Sequence, residues 1–296
     1  MRATTAASLS TLRADEPPGL LAVGHVAKDL QEDGFTLGGT VAYAGLTAKA
    51  LGVEAAIVTS CGPDLPLGEA LAGVRVHIRP SVESTTFQNI YDGSYRTQYL
   101  LSCAQTLSLR DVPMEQRATP IVLLGPVANE LAPDLFTGFH SSLVGLTPQG
   151  MMRAWDVDRR VHSIRWAESD ELLQDVDVVI LSEDDLPDHA ELDRYTQRAP
   201  IVVVTASEQG ATVYDHGKAR RFPGYPCDPV EPTGAGDVFA AAFLIELHRT
   251  GNLERAADFA NAAASFVIEA QGATGVADRV RIEGRMSLRV GAGKRR

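Results

Sequence analysis

Residues 231–237 read Glu231-Pro232-Thr233-Gly234-Ala235-Gly236-Asp237 and run directly into an apolar stretch, 238–247, of helical length. Pro232 cannot extend a regular ladder, so the preceding segment ends there. Two glycines around one alanine let the backbone turn tightly and let a ligand come close to the peptide N–H groups. The apolar stretch makes those groups the first of a helix, where an anion is welcome. Asp237 then falls in the first helical turn, beside that anion. Donors for developing negative charge, next to a carboxylate that can take a proton from an attacking hydroxyl, are the parts needed to transfer a charged group. The plainer alternative is a Gly-rich strand-to-helix turn closed by an acid.

Working outward, the 296 residues suffice for one large α/β domain or two small ones. A net charge of −11 argues against nonspecific nucleic-acid binding and against anionic membranes as partners. Cys61, Cys103 and Cys227 are widely spaced, odd in number and without a CxxC pair. They read as reduced thiols of a cytoplasmic protein. No apolar segment reaches the roughly 20 residues that span a bilayer. Residues 1–18 lack the core of a secretory signal and read as a disordered leader.

Taken in order, residues 20–24 read as a short buried strand ending on glycine. Asp29 is the first acid after it, placed where doubly wound sheets present residues to their ligand crevice. Gly38-Gly39 opens a helical pattern at 40–51. Strands are expected at 55–60 and 74–78, with a short helix at 66–72 between them. Residues 85–91 and 96–100 flank Asp92-Gly93, a strong hairpin signal. They form a lid hairpin within about 84–101 that carries Asn89, Arg96 and Gln98. Buried strands follow at 121–127, 143–147, 176–181 and 201–205, and a helix opens at 131–136. A hairpin at 211–222 leads to Glu231. Residues 252–268 read as an Ala-rich helix containing Asn261. Beyond Asp278 the chain, 279–296, turns basic and is expected as a frayed tail. HExxH, GxSxG, Walker-A and GxGxxG motifs are all missing. Alternating strands and helices give an α/β class: a doubly wound, mainly parallel sheet with helices on both faces and a small, reduced β lid.

The heptapeptide 231–237 resembles the C-terminal signature of the PfkB (ribokinase-like) family of sugar and nucleoside kinases, Asp-Thr-x-Gly-Ala-Gly-Asp. Glu231 and Pro232 replace its first two residues. Gly24 and Asp29 match the family's Gly-x-x-x-x-Asp, and Gly38, Gly39 and Ala44 match its N-terminal diglycine motif, with Tyr43 in place of Asn. The resemblance spans about residues 20–278, so 19–278 is read as one kinase domain. It implies Asp237 as catalytic base and Gly234, Ala235 and Gly236 as the anion hole. Asp29, Gly39, Asn89, Arg96 and Gln98 are the implied substrate contacts. Thr205, Ser207, Gly210, Thr233 and Asn261 are the implied nucleotide contacts, with Ser207 standing where the family has Gly. Asp185 sits in the Glu slot of the family's Asn-x-x-Glu, Ser182 in the Asn slot, and implies a magnesium contact through water. Thr147 and Gln149 replace the family's Asp and Asn after the strand expected at 143–147, and no role is carried over to them.

The implied function is ATP- and Mg2+-dependent phosphorylation of a hydroxyl on a small polyol or sugar. Tyr43 and the short 29–38 segment are similar to the inositol kinase branch and point to myo-inositol. A nucleoside kinase and a non-catalytic ligand-binding protein on a kinase fold are the alternatives. The short segment implies a reduced lid that a neighbouring subunit could complete, which leaves a homodimer open.

Overall fold

The computed structural model describes residues 19–92 and 95–293, the side chains of 91–92, 95–96 and 290–293 excepted. The expected leader at 1–18, Gly93 of the hairpin turn, the side chain of Arg96 and residues 294–296 lie outside the described residues. The first half of the chain contributes β1 (Leu20–Val23), β2 (Ala27–Gln31), β3 (Gly34–Gly38), α1 (Thr40–Ala50), β4 (Ala55–Cys61), β5 (Arg75–Pro80), β6 (Thr86–Asp92), β7 (Tyr95–Ser102), β8 (Ile121–Leu124) and β9 (Leu143–Leu146). There follow β10 (Arg153–Trp155), β11 (Val161–Ser163), α2 (Ser169–Leu172), β12 (Val178–Ser182), α3 (His189–Arg198), β13 (Ile201–Thr205), β14 (Ala211–Asp215) and β15 (Lys218–Phe222). Three helices close the chain: α4 (Ala235–Thr250), α5 (Leu253–Ile268) and α6 (Arg279–Gly293).

The main sheet runs β15-β14-β13-β12-β9-β8-β1-β4-β5. From β13 across to β5 the pairing is parallel, and β14 and β15 add an antiparallel edge. The chain winds outward from β1 in one direction through β4 and β5, then in the other through β8, β9, β12 and β13. The switch point is therefore the β1–β8 junction, where open α/β sheets form their ligand crevice. Gly24 and Gly125 end those two strands, and a Cβ on Gly24 would collide with the Gly125 carbonyl. Two apolar side chains could not lie there, so the glycines keep the crevice floor closed and thin.

The central strands are buried on both faces, as continuous apolar runs require. Leu20 and Ala22 face the core beneath α1, α4 and α5. Leu21 and Val23 face the opposite core with Phe136, Trp166 and Tyr195. Residues 238–247 of α4 are buried throughout, which a helix apolar on all sides demands.

The lid is a four-stranded sheet, β3-β2-β6-β7. The 29–38 segment is as short as expected, but it folds as the β2–β3 hairpin. Glu32-Asp33 forms its loop, and Gly34 follows at φ 97. β10 and β11 extend the lid further. An isolated bridge joins Tyr99 to Arg160, and the Leu100 amide donates to the Arg159 carbonyl at 2.9 Å. His25 pins the lid to the sheet: Thr85 Oγ1 meets its Nδ1 at 2.7 Å and the Gln105 carbonyl meets its Nε2 at 2.9 Å. An imidazole that accepts at Nδ1 and donates from Nε2 satisfies both contacts.

Three expected elements differ. Residues 66–72 form turns rather than a helix, with one i+4 hydrogen bond from Leu71 to Leu67. Pro66 and Gly68 leave too few residues to pay for helix nucleation. The helix expected at 131–136 is a single 3-10 turn, Pro133–Leu135, because Pro133 admits only a start. Beyond Asp278 the chain forms α6 rather than a frayed tail. Asp278 Oδ1 accepts from the Arg281 amide at 2.9 Å, and the Arg279, Arg281 and Arg285 guanidiniums lie over Phe259 and Phe266.

Candidate active site

Two helix N-termini meet at the switch point. Gly39 precedes α1 at φ 93, and a Cβ there would strike the His25 carbonyl. Gly234 precedes α4 in the left-handed conformation, φ 83, and a Cβ there would enter the Tyr43 ring. Only glycine meets both demands at both positions. The diglycine and Gly-Ala-Gly motifs are thus each needed to bring two positive helix ends onto one point.

Thr40 opens α1 and Asp237 lies in the first turn of α4. Their side chains join: Thr40 Oγ1 donates to Asp237 Oδ1 at 2.7 Å. No side chain caps α4. The Ala235 amide turns back to the Pro232 carbonyl at 3.3 Å, so of the amides in this turn those of Gly236 and Asp237 keep no partner among the described residues. A Cβ on Gly236 would meet nothing within 4 Å, which leaves open space over those amides.

Burial pushes the Asp237 carboxyl up to about 6; the Thr40 hydrogen bond and the Arg153 charge oppose the rise, while Asp185 and Asp29 add to it. Asp29, Arg153, Asp185 and Asp237 therefore share one electrostatic environment, although 208 positions separate Asp29 from Asp237. Tyr43, beneath Gly234, stays protonated throughout the ordinary pH range. Burial is the main cause, reinforced by Asp237, Glu231 and Asp29.

Asp29 lies on β2 with its carboxylate against Gly38, where a Cβ would displace it. Asp29 pairs with Phe87 and Phe87 with Leu100, so these residues share the inner lid face. Asn89 and Gln98 continue that face and hold each other, Gln98 Nε2 donating to Asn89 Oδ1 at 3.0 Å. Arg153 reaches the site from β10. Its Nη1 donates to the Val127 carbonyl at 3.2 Å and its guanidinium lies 5.7 Å from the Phe87 ring centre.

Residues 157–279 match the pfkB family carbohydrate kinase family. A cytidine kinase of Thermococcus kodakarensis is 29% identical over 260 residues, covering 79% of this chain and 90% of that protein. A pyrophosphate-dependent kinase in the ribokinase family, solved with a pyrophosphate analog and myo-inositol, superposes with a TM-score of 0.75 at 22% identity, over 89% of this chain and 99% of that one. Arabidopsis thaliana ribokinase, solved with ribose and ATP, gives 0.70 at 19% identity, over 91% and 99%. The chain carries a PfkB-family carbohydrate kinase domain.

The residues expected to contact a nucleotide divide. Thr205 donates its hydroxyl to the Leu181 carbonyl at 3.3 Å, and Asn261 is buried with its amide on the Phe222 and Pro223 carbonyls at 3.2 and 3.5 Å. Both brace the wall and spend their donors inside the chain. Ser207 and Thr233 remain exposed. Ser207 holds φ 46, the left-handed backbone for which glycine is suited, and Gly210 holds φ 90 where a Cβ would strike the Phe222 and Gly224 main chain. Ser207 therefore holds a left-handed backbone that costs a non-glycine residue about 1–2 kcal/mol.

Asp185 follows β12 in a 3-10 turn. Its Oδ1 accepts from Gln149 Nε2 at 3.0 Å and its Oδ2 from the Ser182 amide at 3.2 Å. Among the described residues no cluster of three His, Cys, Asp or Glu side chains suits a metal. A single carboxylate with lone pairs to spare fits a hydrated magnesium that arrives with substrate phosphates, since that ion keeps several waters.

Thr40, Arg153 and Gln149 were not among the expected site residues of the kinase domain. A hydroxyl directly after a helix-opening diglycine was a usable sign for Thr40. Gln149 stands in a family motif slot, but its role depends on Asp185, 36 positions away. Arg153 follows a 3-10 turn on a three-residue strand, which no periodicity announces.

Among the described residues no helix is long and apolar enough to cross a membrane.

Proposed function

We propose that the kinase domain transfers the terminal phosphoryl group of ATP to a hydroxyl of a small polyol or sugar. The observation that carries this reading is the half-buried Asp237 carboxylate beside the uncapped amides of α4, with open space at Gly236. Asp29 and the Asn89–Gln98 pair hold neighbouring hydroxyls of the acceptor from the lid, with the Gly39 backbone as a further contact. Asp237 takes the proton of the attacking hydroxyl. The acceptor oxygen bonds to phosphorus while the bond to the leaving diphosphate breaks, and the Gly236 and Asp237 amides hold the charge that spreads over the transferred group. Arg153 supplies the local positive charge. Magnesium, held through water by Asp185, would neutralise the donor phosphates. Ser207, Gly210 and Thr233 line the donor side. Positioning and electrostatics supply most of the acceleration.

The paired amides and the Asp29 carboxylate suit an acceptor with adjacent hydroxyls, and myo-inositol is the favoured candidate. The polyol found in the pyrophosphate-dependent neighbour supports it. The extent of the cytidine kinase match supports a nucleoside as the second reading. ADP release from ATP, or phosphate release from pyrophosphate, measured with myo-inositol, ribose, fructose and cytidine, tests both. Turnover of myo-inositol is expected. Turnover of cytidine alone would transfer the assignment to nucleosides. No turnover, together with no thermal shift by ATP and magnesium, would leave a non-catalytic binding protein.

Gly236→Ala separates the site from the fold. The new methyl meets no protein atom, and replacing glycine in a helix gains up to about 1 kcal/mol. It would project into the space assigned to the phosphoryl group. Turnover should fall at least tenfold while the melting temperature holds or rises, read by steady-state kinetics and thermal denaturation on the same preparation.

A further inference from the structure

We infer that Thr40 is a positioning residue for the proton acceptor: its hydroxyl fixes Asp237 Oδ1 so that the second carboxylate oxygen faces the acceptor hydroxyl. The inference rests on the assignment of Asp237 as base. Thr40 is buried and its hydroxyl makes the one hydrogen bond to Asp237 among the described residues, at 2.7 Å. A carboxylate with a single partner can swing about its last torsion, which has broad wells. A short bond from a locked donor removes that freedom.

The donor is locked from behind. A Cβ added to Gly125 would lie 2.7 Å from Thr40 Cγ2 and 2.9 Å from Thr40 Cβ. The end of β8 thus leaves room for the threonine methyl and for nothing larger. Gly39, in its left-handed conformation, delivers Thr40 as the first residue of α1. A line of contact runs from Gly125 at the switch point through Thr40 to Asp237, joining the sheet to both helix ends.

The same bond favours the charged carboxylate. It works against the burial of Asp237 and the like charges of Asp29 on β2 and Asp185 after β12, and alongside Arg153 on β10. Tyr43, from α1, and Glu231, ahead of α4, are further titratable groups at this point. Substitution of Thr40 by valine removes the hydroxyl and leaves all of these in place.

The test compares wild type, Thr40→Val, Thr40→Ser, Gly125→Ala and Asp237→Asn as full-length protein between pH 4 and 9. Rates are measured with ATP, magnesium and the panel acceptor that turns over, and melting temperatures are measured without ligand. Thr40→Val should raise the acid limb of kcat by about one pH unit and lower its plateau about tenfold, with KM within about threefold. The fall in melting temperature that accompanies ionisation of Asp237 should still begin near pH 4 but reach its end at a pH higher by the same amount, a readout that needs no substrate. Thr40→Ser should stay within about threefold of wild type, since it keeps the donor. Gly125→Ala, which displaces Thr40 without changing it, should follow Thr40→Val and decides the matter if the valine variant misfolds. Unchanged limbs and plateaus in Thr40→Val, or a serine variant as impaired as the valine, would overturn the inference while an inactive Asp237→Asn keeps the base assignment intact. An active Asp237→Asn would instead overturn that assignment.

Discussion

Asp237→Asn should lose about 10²–10⁴-fold in turnover, the range a general base contributes, yet melt at a higher temperature than wild type at pH 8. The two effects share a cause. Enclosure raises the Asp237 carboxyl to about 6, from 3.8. Between those values the folded chain binds a proton that the unfolded chain releases, so stability declines as pH rises from about 4 to 6 and stays reduced above that. Asparagine has the same shape, can still accept from Thr40 through its amide oxygen, and carries no charge to desolvate. The gain at pH 8 should be about 1 kcal/mol, because the site is only half-buried and solvent screens part of the penalty. Below pH 4 the two proteins should melt together. In wild type, kcat/KM should fall on the acid side with a limb near pH 6, where the base of the free protein becomes protonated. A variant that is inactive but not stabilised at pH 8 would mean that the carboxylate carries no strain in the free protein. A variant that retains turnover would remove Asp237 from the chemistry altogether.

The residues that could be read in advance are those whose constraint is local. Gly234 and Gly39 need left-handed backbone at helix starts, and a diglycine or Gly-Ala-Gly before an apolar run announces that directly. The seven-strand parallel part of the sheet announced itself too, because strands buried on both faces are continuous apolar runs such as Ile201–Thr205. What stayed hidden is set by neighbours distant in sequence. Tyr43 looks like a substitution in a motif; its role as the floor under Gly234 depends on a contact 191 positions away. Arg153 has no local pattern around it, and its charge acquires meaning only where β10 crosses the crevice. The β2–β3 hairpin escaped because Glu32-Asp33 is a weak turn signal compared with Asp92-Gly93. The helix α6 was concealed by its arginines. They resemble a basic tail until the structure places their guanidiniums over Phe259, Phe266 and Tyr225, which is how long cationic side chains cover apolar surface while the charge stays hydrated.

Glu246→Ala should cost about 2–4 kcal/mol and lower the melting temperature by roughly 5–10 °C. The carboxylate has no exposed side-chain surface and sits in the otherwise apolar run of α4. Burial alone would raise its pKa. Hydrogen bonds from Arg249, Arg279 and Arg255 outweigh that and hold it at about 2. Arg249 Nη2 and Arg255 Nε donate to Oε1 at 2.6 Å each, and Arg249 Nε and Arg279 Nη1 donate to Oε2 at 3.0 and 2.8 Å. One acid thus ties α4 to α5 and α6. Removing it leaves three cations facing one another around a small cavity. The cost stays below that of a fully buried broken pair because the arginines are partly exposed and Glu283 still serves Arg255 and Arg279 at 2.8 and 3.5 Å. The depressed pKa fixes the pH dependence. The stability owed to this group is complete above about pH 4.5, its unfolded value, and is lost as pH falls through about 2. Acid unfolding curves of wild type and variant should therefore converge at low pH and separate above pH 4.5. Catalysis should not follow stability. Glu246 lies nine residues along α4 from Asp237, about 14 Å at 1.5 Å per residue, so kcat and KM should match wild type well below the melting temperature. A parallel fall in kcat with an unchanged acid limb would instead mean that the α4–α5–α6 clamp holds the active-site end of α4 in register.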